Sequence, residues 1–405
     1  MNAPRPPYAA TAVHPAWTEL PAAVREAVVD WFGEPTRVAT AGRGFTGGFA
    51  ASTVPYPSGV SVPADAEADA LAVPFAALDA GQGALVAREV FGLTPTSVTR
   101  LDTERDDTFV LYDGSTRHVL KVAHPLDVPD VLDFQVRALL HASDRDPTLP
   151  LSRPITSVEG ELLPVVTGAE GEPRLARVLT YLPGRMLDYA RTDATQRNAV
   201  GTAVARLSLA LQDFEHPASG RFLEWDLQHL GSLRRLLGFV EDPVARAQAA
   251  RELAEFDVDT GPALAEVRHQ VVHNDVNPDN VVVDAADPAF VSGILDFGDL
   301  VHSAVVIDLA VAMSYAVDTD GDPWDGPFDL AAGFESRRTL TALERSILPA
   351  LVRGRLAQRL VLNSWLASTT PQNSHYTGRS LARTALALRA LAATTPPAVE
   401  PRSHG

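Results

Sequence analysis

The segment 273–280, which has the sequence His-Asn-Asp-Val-Asn-Pro-Asp-Asn, and the triplet Asp-Phe-Gly at 296–298 constrain the fold of this chain most. Strands are predicted directly after the first segment, at 281–283, and directly before the triplet, at 291–295. The first strand would hold Asp275 and Asn280, five positions apart, on a rigid support, and Asp296 would follow the second strand. Either motif alone occurs by chance, but both together, in this order, indicate a built site.

These three side chains suit the transfer of a phosphoryl group. Such transfer needs a carboxylate that takes the proton of the acceptor hydroxyl, and we predict Asp275 in this catalytic role. It also needs a metal ion across the phosphates, and Mg²⁺ prefers hard oxygen ligands such as carboxylates and amide carbonyls. The sequence therefore predicts Asn280 and Asp296 as ligands of Mg²⁺, with a nucleoside triphosphate as the donor.

The order of the predicted elements indicates two lobes. A helix at 82–91, strands at 97–102, 108–112 and 118–122, a helix at 128–142 and strands near 152–159 and 177–181 form the first lobe. Helices predominate after 190, at 195–214, 230–240, 243–257, 304–317, 342–367 and 378–393. This pattern predicts an α+β, protein-kinase-like two-lobed fold, with a small antiparallel β lobe and a larger, mainly α-helical lobe. We place the nucleotide-binding lobe at 82–182 and the catalytic and acceptor-binding lobe at 183–405.

Residues 1–81 are predicted to form an extension and a linker. Apolar positions recur at helical spacing over 17–32, a glycine-rich stretch covers 42–48, and Ala, Pro, Ser and Asp predominate over 51–80. The glycine-rich stretch precedes a linker and lacks a following strand with a lysine, so we expect an ordinary loop there.

Lys121 is the only lysine of the chain and lies in the predicted strand 118–122. Its neighbours Leu120 and Val122 point to the opposite face, so Lys121 is predicted to reach the α and β phosphates of the nucleotide. A kinase lysine usually pairs with a glutamate of the following helix, and Gln135 occupies that place here.

Further contacts to the nucleotide are expected from two connections. The loop 102–109 contains no glycine, so Arg105 and Thr108 are its candidate phosphate donors, together with backbone N–H groups. The segment 180–182 is the predicted hinge between the lobes, where Tyr181 and Leu182 would pack against the base.

Composition narrows the classes of partner. The net charge is −17, from 34 basic and 51 acidic residues, and such a chain repels nucleic acid and anionic lipid. It contains no cysteine, so disulfides and thiolate metal sites are excluded. No apolar run approaches the length of a membrane span, and no signal peptide is apparent, so a cytoplasmic location is expected. The oligomeric state is left open.

The segment 273–280 resembles the pattern His-Gly-Asp-Leu-(His/Asn)-x-x-Asn of the aminoglycoside phosphotransferase and choline kinase superfamily. It departs at Asn274, where glycine is usual, and at Val276. The segments Leu-Thr-Tyr-Leu-Pro-Gly-Arg at 179–185 and Val-Ser-Gly-Ile-Leu-Asp-Phe-Gly-Asp at 291–299 match the hydroxylysine kinase family residue for residue. Gln135 and the glycine-free loop around Asp106 and Asp107 are similar to that family too.

This resemblance covers residues 82–395 and implies phosphorylation of the 5-hydroxyl of 5-hydroxylysine by GTP or ATP, with GTP favoured in eukaryotic members. Such an acceptor is a small amine-bearing alcohol that also carries a carboxylate. Asp299 and Glu335 are the candidate partners of its amines, and Arg185 or Arg221 would meet its carboxylate. Residues 17–50 separately resemble the start of a bacterial aminoglycoside phosphotransferase small lobe, which suggests a partial duplicate of that lobe or an unrelated helical cap.

Three alternatives share part of this pattern. An antibiotic phosphotransferase of the aminoglycoside type would use the same chemistry with a different acceptor pocket. A catalytically inactive kinase-like binding module would have lost at least one of the residues at 121, 275, 280 and 296, and all four are intact. A protein kinase is disfavoured, because no Ala-Pro-Glu segment follows Asp296.

Overall fold

The computed structural model describes residues 75–101, 103, 106–287, 289–369 and 374–396, all of which belong to one compact unit. The helix predicted at 17–32, the glycine-rich stretch at 42–48 and Arg105 lie outside the described residues. Within the described ranges a small antiparallel lobe precedes a mainly helical one, which confirms the predicted α+β two-lobed fold. In this part of the chain no helix combines the length and the apolar character that crossing a bilayer would need.

The small lobe consists of one antiparallel sheet and two helices. Its elements are α1 (Ala80–Glu89), β1 (Ser97–Leu101), β2 (Asp107–Tyr112), β3 (Arg117–Val122), α2 (Pro129–Arg145), β4 (Pro154–Ile155), β5 (Val165–Thr167) and β6 (Pro173–Thr180). The strand order is β1-β2-β3-β6-β4, with β5 beside β6. The strand predicted at 152–159 is much shorter than expected, since Pro154 cannot donate a hydrogen bond to a neighbouring strand.

The register of the sheet places a buried apolar cluster on one face and a row of polar residues on the other. Phe109 pairs with Leu120, and Leu120 with Val178, and these three buried side chains form the core with α1. On the alternate positions Thr108 pairs with Lys121, and Lys121 with Arg177. Directly opposed residues point to the same side of a sheet, so Thr108, Lys121 and Arg177 form one row on the other face.

The larger lobe combines helices with two small antiparallel sheets. Its strands are β7 (Arg185–Met186), β8 (His269–Val272), β9 (Val281–Val283), β10 (Val291–Ile294) and β11 (Val301–Ala304), in the orders β10-β9-β7 and β11-β8. Its helices are α3 (Ala194–Ala210), α4 (Pro243–Glu255), α5 (Gly261–Leu264), α6 (Val306–Tyr315), α7 (Asp325–Glu335), α8 (Ala342–Thr369) and α9 (Ser374–Ala392). The helix predicted at 230–240 is a 3₁₀-helix over Leu227–Phe239.

Helix α7 was not predicted, because Gly326, Pro327 and Gly333 are poor helix formers. Tertiary packing forms it, since α7 crosses α3 at very close range through two glycines. A Cβ on Gly201 would lie 1.9 Å from the carbonyl oxygen of Leu330, and one on Gly333 would lie 1.9 Å from that of Asn198. Each helix backbone thus contacts the other directly.

The substitution Gly333→Ala is expected to lower the free energy of unfolding by about 3 kcal/mol, because the methyl group must push α3 and α7 apart. Chemical denaturation measures this loss. Gly238→Ala is the matched control, since a Cβ there meets no atom within 4 Å. Equal unfolding free energies for the two variants would show that the crossing is looser than described.

Candidate active site

The loop between β8 and β9 is anchored by a buried aspartate of α6. The carboxylate of Asp308 accepts hydrogen bonds from the backbone N–H groups of His273, at 3.1 Å, and Asn274, at 2.6 Å. Burial raises the pKa of Asp308, while the nearby His273 and these two N–H groups oppose that shift. The anchor fixes the backbone immediately before Asp275.

Asn274 has a left-handed backbone, with φ of 65°. Glycine adopts this conformation without steric cost, and asparagine tolerates it better than most other residues. The requirement for a positive φ thus explains why glycine is usual in the related pattern and why asparagine can replace it here. Asn274, which departs from the related pattern, thus keeps the backbone turn that glycine would form.

The carboxylate of Asp275 is held by three side chains. Its Oδ2 accepts hydrogen bonds from the amides of Asn277 and Asn280, each at 2.8 Å. Its Oδ1 lies 3.2 Å from Nη2 of Arg355, a buried residue of α8. These contacts fix the rotamer of Asp275 while its side chain stays partly accessible.

Asn280 is oriented by the same residue. Its amide nitrogen donates to both the carboxylate and the backbone carbonyl of Asp275, the latter at 2.9 Å. The amide oxygen therefore points away from Asp275. The backbone carbonyl of Asn280 accepts from the N–H of Leu295 at 2.8 Å, which ties the loop to the segment that carries Asp296.

Asp296 itself takes the left-handed conformation at the turn after β10, with φ of 54°. Gly298 contributes space to this turn, because a Cβ there would lie 2.9 Å from Oδ1 of Asp296. The N–H of Gly298 instead donates to that oxygen at 3.0 Å. His273 supports the turn, with Nε2 2.9 Å from the carbonyl oxygen of Leu295.

The charge of Asp296 is favoured by its surroundings. Enclosure by protein atoms raises its pKa, but the positive charge of Lys121, the N–H of Gly298 and the charges of His273 and Arg177 outweigh this, and the net shift is downward. Lys121 and Arg177 belong to the small lobe, so the two lobes direct opposite charges at one another across this site.

Lys121 is paired with a residue other than the predicted one. Its Nζ lies 3.6 Å from Oδ2 of Asp106, and the same oxygen accepts from Nη2 of Arg177 at 2.9 Å. Among the described residues no hydrogen bond joins Lys121 to Gln135. Asp106 precedes β2, so the counter-ion comes from the loop rather than from helix α2.

The remaining residues that were predicted to contact the nucleotide lie in the polar row that contains Lys121 or in the hinge at 180–182. Thr108 lies in the row with Lys121 but is buried, and its hydroxyl is 3.3 Å from that of Thr103. The ring of Tyr181 lies 5.5 Å from the guanidinium of Arg117. Leu182 fills the space above Gly293, where a Cβ would meet its side chain at 2.9 Å, so it contacts the strand that leads to Asp296.

Asp299 joins the acidic groups around Asp275. Burial and the negative charges of Asp275 and Asp296 raise its pKa to about 7, against the opposing charges of Arg221 and Arg355. A group poised near neutrality beside the base can accept a proton or hold an ammonium ion. The structure thus brings this predicted acceptor residue to Asp275.

Asp299→Asn is expected to stabilise the protein at alkaline pH. Because the pKa rises from 3.8 to about 7 on folding, folding favours the protonated acid, and this contribution is complete below pH 4 and lost as the pH rises through 7. The amide avoids the penalty of burying a charge, so the gain should be about 2 kcal/mol larger at pH 8 than at pH 5. Denaturation at both pH values measures it, and a gain independent of pH would contradict the assignment.

Two further candidate acceptor residues have structural partners instead. Glu335 forms an ion pair of 2.6 Å with Arg345 and accepts from the N–H of Leu340 at 3.2 Å, so it joins α7 to α8. We therefore do not retain Glu335 in the proposed acceptor site. Arg221 donates to the backbone carbonyls of Gly298 and Leu300, the latter at 3.0 Å, and so supports the turn that carries Asp299.

Sequence reasoning missed four residues of this site. Asn277 stands two positions after Asp275 inside the recognised segment, so its role was open to prediction. Asp106 and Arg177 needed the register of the sheet, which places Arg177 opposite Lys121. Arg355 lies 80 positions from Asp275, and no local pattern marks it.

Comparison with known proteins agrees with this arrangement. A family model described as "APH: Phosphotransferase enzyme family" matches residues 97–344, more than half of the chain. A hydroxylysine kinase of Mus musculus is 27% identical over 316 residues, which cover 73% of this chain and 84% of that protein. A homoserine kinase of Gluconacetobacter diazotrophicus is 30% identical over 240 residues, covering 57% and 70%.

The fold has a counterpart among solved structures. An amicoumacin kinase, solved in complex with AMP-PNP, Ca²⁺ and Ami, superposes with a TM-score of 0.60 at 15% identity, over 82% of this chain and 96% of that one. At this identity the likeness concerns the fold alone, and it confirms the kinase-like arrangement of the lobes. The chain therefore belongs to the phosphotransferase enzyme family, as a small-molecule phosphotransferase whose acceptor is an alcohol group.

Proposed function

We propose that this enzyme transfers the γ-phosphoryl group of GTP or ATP, with Mg²⁺, to the hydroxyl of an amino acid, and that 5-hydroxylysine is its acceptor. The observation that carries the proposal is the similarity to hydroxylysine kinases over 73% of the chain. The phosphotransferase family model, which matches residues 97–344, spans the site around Asp275. The homoserine kinase is likewise named for an amino acid that carries a hydroxyl group. The proposal keeps 82–182 for the nucleotide and 183–405 for catalysis and the acceptor.

The proposed chemistry begins at the carboxylate of Asp275. Its rotamer is fixed by Asn277 and Asn280, which keeps one oxygen within reach of an acceptor hydroxyl. As the acceptor oxygen forms a bond to the γ-phosphorus, the bond from that phosphorus to the β-phosphate oxygen breaks. The hydroxyl proton passes to Asp275, and the nucleoside diphosphate leaves with the electrons of the broken bond.

The nucleotide phosphates are assigned to the polar row of the small lobe. Among the described residues, Asp106 is the one carboxylate within ion-pair distance of Lys121 and Arg177, so these two positive charges share one ion-pair partner. Nη1 of Arg177 is buried and has no hydrogen-bond partner among the described residues. A phosphate oxygen placed there would accept from it, and Asp106 would keep both cations extended toward the nucleotide.

Asn280 and Asp296 fit a magnesium ion. Among the described residues no donor binds the amide oxygen of Asn280, whose nitrogen is held by Asp275, and the surroundings of Asp296 favour its charged form. Among the described residues no three His, Asp or Glu side chains group closely enough to hold a metal alone. Mg²⁺ that binds with nucleotide phosphates needs only one or two protein ligands, and when bound it neutralises charge on the phosphates.

A nucleotide-consumption screen tests the acceptor class. Purified enzyme is assayed with Mg²⁺ and either GTP or ATP in the presence of 5-hydroxylysine, homoserine, ethanolamine, choline or an aminoglycoside. We expect 5-hydroxylysine to stimulate turnover most. The preferred nucleotide is the one with the lower KM. Stimulation by an aminoglycoside alone would replace the proposal with the antibiotic phosphotransferase.

A further inference from the structure

Two arginines of α8 stand one helical turn apart beside the proposed base. Arg355 is 1% exposed and places its Nη2 3.2 Å from Oδ1 of Asp275. Arg359 follows four positions later, and residues with this spacing lie on the same side of a helix, about 6 Å apart along its axis. Arg359 therefore lies next to Arg355 along the wall that begins at Asp275.

The two arginines differ in their ion-pair and hydrogen-bond partners. Nη1 of Arg355 donates to the carbonyl of Trp225 and to the side chain of Gln358, both at 2.8 Å, and its guanidinium stacks 5.0 Å from the Trp225 ring. Asp275 is the ion-pair partner of Arg355, so Arg355 acts as a positioning residue for the base, while its buried Nε has no hydrogen-bond partner among the described residues.

Among the residues that the structure describes, Arg359 has no such partner. Its guanidinium lies 3.7 Å from the centre of the Tyr315 ring, and its hydrogen bond to the carbonyl of Ser314 is long at 3.4 Å. In the described ranges no carboxylate lies within ion-pair distance of Arg359. The flat stacking on Tyr315 leaves the edge of the guanidinium, which carries the N–H groups, for a ligand.

The electrostatic surroundings favour an anion at this edge. Burial lowers the pKa of Arg359, the charges of Arg355 and Arg383 lower it further, and Tyr315 and Asp275 act in the opposite direction. The positive charges of Arg355, Arg359 and Arg383 repel one another, and a bound negative charge would relieve this repulsion.

An acidic wall, formed by Asp275, Asp296 and Asp299, lies at the Arg355 end of this row of arginines. Asp275, Asp296 and Asp299 lie close enough to influence one another, and Asp299 is the member assigned to no metal or proton-transfer role. An acceptor that reaches from the acidic wall to Arg359 meets negative charge at one end and positive charge at the other. This arrangement suits a zwitterion and disfavours a polycation.

We infer that Arg359 binds the α-carboxylate of an amino-acid acceptor, with the ammonium groups of the acceptor directed to the acidic wall. The inference rests on the proposed function and assigns the residue that selects an amino acid. In 5-hydroxylysine five bonds separate the reacting oxygen from the carboxylate carbon, an extended span of about 6 Å. That span matches the distance of about 6 Å along α8 from Arg355, which contacts Asp275, to Arg359.

A pair of acceptors that differ only in the carboxylate tests the inference. The ratio of kcat/KM for 5-hydroxylysine to that for 1,5-diaminopentan-2-ol is measured for the wild type, Arg359→Met and Arg359→Lys. We expect Arg359→Met to lower this ratio by about 10- to 100-fold, chiefly through KM for 5-hydroxylysine, because a charged hydrogen bond is lost. Arg359→Lys should recover part of the ratio, because lysine keeps the positive charge but lacks the paired N–H donors of the guanidinium.

The control is Arg234→Met, which removes a half-exposed arginine whose partner is Asp257. It should leave the ratio unchanged. An equal loss of kcat/KM for both acceptors in Arg359→Met, with normal thermal unfolding, would overturn the inference, as would an unchanged ratio.

Failure of the proposed function gives a different result. If the wild type uses homoserine and not 5-hydroxylysine, the acceptor is corrected, and the same ratio is measured with homoserine and 3-aminopropan-1-ol. If the wild type uses only acceptors without a carboxylate, the inference is overturned along with the proposed acceptor. Each outcome therefore identifies which of the two statements is wrong.

Discussion

Asp275→Asn is expected to lower kcat by about 10²- to 10⁴-fold, because an amide cannot take the proton of the acceptor hydroxyl. Binding of the nucleotide should change little, since Lys121 and Arg177 remain in place. The variant also leaves buried Arg355 without its charged partner, so the free energy of unfolding is measured beside the kinetics. Steady-state rates and equilibrium nucleotide binding together separate loss of the base from loss of the fold.

The matched control for this variant is Asp279→Asn. Asp279 is an exposed carboxylate in the same loop, four positions after Asp275, and its own side chain takes no part in the contacts around the base. Near-normal turnover is expected from it. If both variants retain wild-type kcat, proton transfer does not depend on this loop and the role assigned to Asp275 is wrong.

Asp296→Asn is expected to abolish the dependence of nucleotide binding on Mg²⁺ and to lower kcat by about 10³-fold, because one of the two proposed metal ligands loses its charge. Removal of that charge should also leave Lys121 and Arg177 less balanced and so favour binding of the nucleotide without metal. Titration calorimetry with the nucleotide, in the presence and absence of Mg²⁺, measures both effects.

Asp320→Asn serves as the control for the metal site. Asp320 is exposed in the loop between α6 and α7 and lies outside the site. Its variant should bind the nucleotide with the normal response to Mg²⁺. A normal response in Asp296→Asn as well would exclude this carboxylate as a metal ligand.

The parts of the site that lie in the two short motifs, at 273–280 and 296–298, could be predicted from the sequence. Asp275, Asn280 and Asp296 are each next to a strand, and strand neighbours fix local geometry, so residue type and spacing were sufficient to place them together. The turn at Asn274 illustrates the limit. The sequence showed a departure from glycine, but only the φ of 65° explains why asparagine is acceptable.

The parts that depend on tertiary packing could not be predicted. The partner of Lys121 was sought at Gln135, by position in α2, whereas the sheet register brings Asp106 and Arg177 to it. Arg355 reaches Asp275 from a helix whose pattern shows only amphipathic spacing. Helix α7 forms against its own propensities, because close contact with α3 compensates for its glycines.

The arginines of α8 also bear on the choice between amino acids and antibiotics as acceptors. Aminoglycosides carry several positive charges, which Arg355 and Arg359 would repel, whereas an amino acid supplies the carboxylate that Arg359 lacks among the described residues. The acidic wall around Asp299 alone would suit either class. The opposed charges of the two walls therefore favour the amino acid.

The most direct test of the account identifies the product. The wild-type enzyme is incubated with 5-hydroxylysine, Mg²⁺ and the preferred nucleotide, and the mixture is analysed by ³¹P NMR and tandem mass spectrometry. The account predicts one phosphorylated 5-hydroxylysine for each nucleoside diphosphate formed, with the phosphate on the C5 oxygen. Release of inorganic phosphate alone, or a phosphate on nitrogen, would contradict it.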